Sequence, residues 1–100
     1  MSLKIDYRFE SGAVIETFIP AFRELDAILP AFEDLEYPYL RLIDRYGDTF
    51  FSRLQMVAVL PELNALKSHR VKPQPALDRV IELAEQCSRE PHSFLVFIGD

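Results

Sequence analysis

Six residues near the carboxyl end, SFLVFI from Ser93 to Ile98, leave few architectures open. Five of them are consecutive apolar residues, aromatic or branched, with none of the polar alternation of a strand that has one wet face. That composition belongs to a strand covered on both sides, central in a sheet or lying under a helix. The segment just before it supplies a helix. Leu77, Val80, Ile81, Ala84 and Cys87 recur at spacings of three and four, while Asp78, Arg79, Glu82, Glu85 and Gln86 fall largely elsewhere on the wheel. This pattern predicts an amphipathic helix over about 75–89, stopped by Pro91.

The amino end has the other period. In LKIDYRF, Leu3, Ile5, Tyr7 and Phe9 alternate with Lys4, Asp6 and Arg8, which predicts a strand with one face buried and one in water. Glu10, Ser11 and Gly12 offer a turn, and AVIETFI returns the chain as the second strand of a hairpin ending near Pro20. The inside faces of these elements combine into a predicted core of Ile5, Tyr7, Phe9, Leu77, Val80, Ile81, Leu95 and Phe97.

Between hairpin and helix the pattern is mixed. Phe22, Leu25, Leu29, Phe32 and Leu35 recur at helical spacing, and Pro30 confines the expected helix to about 21–29, with an irregular piece to about 36. YPYLRLI reads as a connection that buries Leu40, Leu42 and Ile43. Ser52 and Gln55 form an S-x-x-Q capping-box pattern, and the apolar positions from Leu54 to Leu66 favour a helix closing near His69. Pro61 either kinks that helix or, if Met56 to Leu60 is a buried strand, opens a shorter one. Lys67, His69 and Arg70 complement the negative end of the helix they finish. The expected fold is therefore a two-layer α+β domain spanning residues 1–100: an N-terminal β-hairpin and C-terminal strand in a small sheet, with about three helices packed on one face.

Charge narrows the functions. Residues 1–50 hold five Lys/Arg against ten Asp/Glu, a net of −5, and residues 51–100 hold six of each, so the whole formal charge of −5 lies in the first half. Phosphate backbones and anionic membranes are bound by Lys and Arg, so neither nucleic acid nor membrane is an expected partner. The single cysteine, Cys87, precludes an internal disulfide, and no apolar run reaches signal-peptide or membrane-helix length; a cytoplasmic protein is the expectation. Glycines stand only at 12, 47 and 99, leaving no material for a phosphate-cradling loop. One cysteine and two histidines, His69 and His92, in separate connections do not make a zinc site, and no cofactor or metal is expected. Cys87 lies on the apolar helix face as a small hydrophobe, the serines have no nucleophile elbow, and no partner for His92 is visible.

The segment IDRYGDTFF, Ile43 to Phe51, is the densest in chemistry. Three readings compete. Tyr46 and Gly47 turn the chain, with Gly47 supplying backbone freedom and Asp48 or Thr49 capping a following helical turn. Alternatively Asp44 and Asp48 form a carboxylate pair, with Tyr46 as a hydrogen-bonding neighbour. Or the segment belongs to an acidic contact surface. The first accounts for every residue type without a ligand.

IDRYGDTFF followed by Gln55, together with FLVFIGD after a Pro-His pair, resembles a group of small bacterial proteins of about this length. The resemblance covers about Tyr39 to Asp100 and implies a bacterial cytoplasmic protein; that group has no established activity, so it lends no catalytic residues. Two functions are carried forward. One is an acidic protein-binding module that meets a basic surface through Glu33, Asp34, Glu36, Asp44 and Asp48, as immunity proteins do in neutralising a toxin. The other is a small enzyme or ligand binder whose carboxylates at Asp44, Asp48 and Asp100 converge at one end of the sheet. The absence of catalytic motifs favours the first.

Overall fold

A computed structural model describes residues 3–99. Four strands, β1 (Lys4–Phe9), β2 (Val14–Phe18), β3 (Asp48–Ser52) and β4 (Ser93–Ile98), form one antiparallel sheet in the order β2-β1-β4-β3. Two helices, α1 (Met56–Ser68) and α2 (Pro75–Arg89), pack against each other and on one face of the sheet, α1 over β3 and α2 over β4 and β1. The α+β class and the one-sided layering are as expected, with two helices rather than about three.

The apolar run is the central strand β4, where Leu95, Val96 and Phe97 are completely buried. Its inner face joins Ile5 and Tyr7 of β1, Phe51 of β3 and Leu77, Val80, Leu83, Ala84 and Cys87 of α2 in one core. Of the predicted core only Phe9 escapes, at 38 % exposed, because β1 ends there and turns into the hairpin loop, with Gly12 at φ 94°. The outer face of β1 is drier than its alternation suggests. Asp6 is 3 % exposed, held by the Thr17 hydroxyl at 2.8 Å and the Arg8 guanidinium at 2.7 Å. Burial by itself would raise the Asp6 pKa; these two partners outweigh it and hold the carboxyl below its ordinary value.

α1 is a helix throughout, as preferred over the strand alternative. Its entry is the predicted capping box: Gln55 N donates to Ser52 Oγ at 3.3 Å and Ser52 N donates to Gln55 Oε1 at 2.8 Å. Pro61 is tolerated in the helix because the carbonyl it leaves unpaired belongs to Val57, 86 % exposed, where water can take it. At the other end, Lys67 pairs with Asp78 of α2 at 2.9 Å.

The expected helix at 21–29 is not formed. Arg23 sits at φ 58°, a left-handed conformation that breaks a helix at its first turn, and the segment is a chain of turns closed by bonds such as Glu24 N to Ala21 O and Leu29 N to Leu25 O. Leu25, Ile28 and Leu29 are buried, while Phe22, Phe32 and Leu35, placed on the same predicted face, are exposed. Leu42 is likewise exposed, whereas Leu40, the first residue of the short 3-10 turn Leu40–Leu42, and Ile43, just after it, are buried as expected.

A path this irregular leaves backbone groups without helix or sheet partners, and long side chains take them up. Arg45 donates to Asp26 O and Leu29 O, Arg70 to Ile28 O and Arg41 to Phe32 O. The buried carboxylate of Glu62, on α1, accepts from Tyr39 N at 3.1 Å and Leu40 N at 2.9 Å, closing the start of the 3-10 turn.

Candidate functional site

The acidic positions lie on the irregular segment and the start of β3. The turn at 32–36 carries Glu33, Asp34 and Glu36; Glu33 and Glu36 are exposed, and Asp34 Oδ1 accepts from Glu36 N at 3.1 Å, which fixes the turn and leaves its other oxygen to solvent. Phe32 opens this turn and its ring lies under the Arg41 guanidinium, 4.3 Å from the carbon to the ring centre. The same Phe32, with Arg41, Leu42, Asp44 and Tyr46, lines a shallow cleft of about 370 Å³. Asp44 is thus brought beside the Glu33–Glu36 turn. Asp48 does not line this cleft; it stands exposed at the first position of β3.

The turn-plus-cap reading of IDRYGDTFF is half right. Asp44 Oδ1 accepts from Tyr46 N at 2.8 Å and Thr49 Oγ1 accepts from Asp44 N at 2.9 Å, so the chain does turn here. Asp48 and Thr49, however, enter a strand rather than capping a helix, and Gly47 does not adopt a positive φ. The glycine that the geometry requires is Gly99. A Cβ on it would come within 2.3 Å of Arg45 O, and its own amide donates to Gly47 O at 2.8 Å. The YGDT and FIGD segments, the two that carry the resemblance, are therefore in direct contact. Asp100 lies outside the described residues.

At the opposite end of the sheet the structure brings together a pair that the sequence left separate. His92 Nδ1 lies 2.5 Å from Glu10 Oε2, and Glu10 N donates to His92 O at 2.7 Å. Eighty-two residues separate the two, so no local pattern announces the pair; the only local signal is positional, since both flank the paired ends of β1 and β4. Both side chains are largely exposed, 81 % for His92 and 54 % for Glu10, so the pair is a surface contact. Among the described residues, the hydroxyls that line the adjoining pocket are those of Ser52 and Ser93. The Ser52 hydroxyl is occupied in the capping box, and the buried Ser93 hydroxyl donates to Glu90 O at 2.7 Å and lies 3.4 Å from Cys87 Sγ. Cys87 is fully buried, as its helix position predicts. Burial pushes its thiol above the ordinary range, with the Ser93 hydroxyl and Arg53 pulling weakly the other way.

Among the described residues no group of three or more His, Cys, Asp or Glu could hold a metal ion, and no helix is long and apolar enough to cross a membrane. Comparison with protein-family models, curated proteins and solved structures finds no match to this chain.

Proposed function

We propose that the protein is a binding module that covers a basic surface of another protein with the face built by residues 22–48. The observation that carries this reading is the mixture of exposed side chains along that segment. Phe22, Phe32, Leu35, Leu42 and Tyr46 are exposed large apolar side chains on one segment. They are interleaved with Glu33, Asp34, Glu36, Asp44 and Asp48, and the segment holds seven acids against three arginines. Apolar anchors within a charged rim are the usual anatomy of a protein interface, in which the anchors supply affinity and the rim supplies steering and specificity. The pinned turns suit the role, since a surface already held in shape loses little conformational entropy on binding. Neutralising a toxin by covering it would be one use of such a face.

The enzyme reading at Asp44 and Asp48 has less support. Asp44 has one oxygen committed to the Tyr46 amide, and the cleft it lines is shallow and does not include Asp48. The test of the binding reading is a paired capture experiment from a lysate of the source cell. Wild type and two variants, E33Q/D34Q/E36Q and F32A/L35A, serve as baits with quantitative readout. The reading predicts at least one basic protein held by wild type and depleted on both variants. Identical captures from all three baits would overturn it.

A further inference from the structure

We propose that the free edge of β3 is a docking edge for an extended, basic strand of the partner protein, which adds to the sheet beside Phe50. This rests on the binding reading above and specifies the mode of contact. The argument comes from the register. Gly99 N donates to Gly47 O and Arg53 N donates to Ser93 O, and both pairs belong to the same β3–β4 register that sets Phe50 opposite Val96. In an antiparallel ladder, hydrogen-bonded and non-bonded pairs alternate. The odd residues of β3 therefore bond to β4, and the backbone groups of Asp48, Phe50 and Ser52 point away from it. β3 is the last strand of the sheet, so among the described residues no further strand receives them.

One of these outward groups is already closed, since Ser52 N donates to Gln55 Oε1. The Phe50 amide and carbonyl are left facing outward among the described residues, beside a side chain 51 % exposed whose ring meets Phe94 edge-on at 6.2 Å. The opposite edge of the sheet is protected. β2 carries a bulge where the register shifts at Tyr7 and Arg8, and Glu16 is tied to Arg79 of α2. Bulges and charges are the ordinary means of blunting an edge, and β3 has only Asp48 at one end and the Gln55 cap at the other.

The chemistry of the occupant follows from side-chain alternation. Asp48 and Phe50 project to the same outer face of the sheet, two residues apart. A strand pairing there would set an apolar or aromatic residue beside Phe50 and a lysine or arginine beside Asp48, the cross-strand pairs that stabilise a sheet. Asp44, exposed just before the strand, adds to the same negative end. A second copy of this chain is a poorer occupant: a two-fold pairing about Phe50 sets Asp48 against Ser52 of the other copy and leaves the acid without a basic neighbour.

The test uses a synthetic peptide of alternating lysine and valine as the probe, with its glutamate–valine counterpart and a backbone N-methylated lysine–valine peptide as controls, followed by amide hydrogen exchange on the intact protein. In the free protein Phe50 should exchange quickly while Thr49 and Phe51 are protected; saturating lysine–valine peptide should slow Phe50 exchange by at least about tenfold, as expected for an amide that gains a ladder bond. Neither control peptide should do so. F50P has no amide at that position to follow, so it is read by isothermal titration instead. It should stay folded, because the Phe50 amide makes no bond to β4, and should no longer bind the lysine–valine peptide that wild type binds; the N-methylated peptide gives the same comparison on the unaltered chain. Phe50 protected in the free protein, equal effects from all three peptides, or a concentration-dependent dimer that alone protects Phe50 would each overturn the proposal. If a captured partner still binds F50P but not E33Q/D34Q/E36Q, the edge proposal fails and the acidic-face reading stands.

Discussion

Replacing Gly99 by alanine tests the contact between the two ends of the chain's most distinctive segments. The added Cβ would lie 2.3 Å from Arg45 O, 2.4 Å from Arg45 C and 2.8 Å from Tyr46 N, all backbone atoms that cannot rotate away. Either the turn at 44–47 or the end of β4 must move. Overpacking of this kind costs about 1–3 kcal/mol, and separation also forfeits the bond from Gly99 N to Gly47 O, worth about 1 kcal/mol. Gly47 is the internal comparison. A Cβ there meets only Asp44 Oδ2, at 2.9 Å, the far end of a side chain that can swing out at the loss of its bond to Tyr46 N. G47A should therefore cost less than about 1 kcal/mol and G99A about 2 kcal/mol. Equilibrium urea unfolding resolves the difference: for a slope of about 1.3 kcal/mol/M, the G99A midpoint falls by roughly 1.5 M. Equal midpoints, or a larger loss in G47A, would refute the assignment of the tight position to Gly99.

Other consequences of the structure are open to direct measurement. E62A should lower stability by about 1–3 kcal/mol in the same assay, since it strands the Tyr39 and Leu40 amides, and E62Q should lose less because one acceptor remains. Cys87 should react slowly with a thiol reagent in the folded protein and quickly in denaturant; rapid native labelling would contradict its burial. Asp6 makes stability depend on acid. Its folded pKa is held below the ordinary 3.8, so its stabilisation is complete above the unfolded value and is lost as pH falls through the folded one. Wild-type stability should therefore fall more steeply than that of D6N below about pH 4, and parallel pH profiles would show that the Arg8 and Thr17 contacts contribute nothing.

The elements legible in the sequence were those whose local pattern and tertiary role agree. α2 has an unbroken apolar stripe between Pro75 and Pro91, and β4, central in the sheet, buries Leu95, Val96 and Phe97 completely while Phe94 and Ile98 on its outer face stay partly open. Local pattern located both elements, although helices cover only one face of β4. β3 was hidden for the opposite reason. DTFFS has too little alternation to announce a strand, and it is one because β4 offers an edge to pair with, a fact set by residues more than forty positions later. Residues 22–35 mimicked a helix because successive turns also space apolar residues by three or four. The left-handed Arg23 and the capture of carbonyls by Arg45 and Arg70 have no local signature.

The candidate site divides in the same way. The exposure of the acidic turn could be read from composition, and so could the burial of Cys87. Phe32, Leu35 and Leu42 as surface anchors could not, because the spacing of Phe32 and Leu35 places them on the apolar face of a helix that does not form, and Leu42 is expected to be buried by the YPYLRLI connection. The His92–Glu10 pair and the outward amide of Phe50 depend on strand register, which the sequence of neither partner contains.

The central claim, that the acidic face of residues 22–48 binds a basic protein, is tested most directly by association kinetics. The partner recovered by wild-type bait is measured against wild type and E33Q/D34Q/E36Q at two ionic strengths, where the screening length falls from about 10 Å at 0.1 M salt to about 3 Å at 1 M. The account predicts a wild-type on-rate that drops as salt rises. It predicts a lower and less salt-dependent on-rate for the variant, with the off-rate changed less, because rim charges act mainly on encounter. Salt-independent association, with wild type and variant indistinguishable at both ionic strengths, would contradict it.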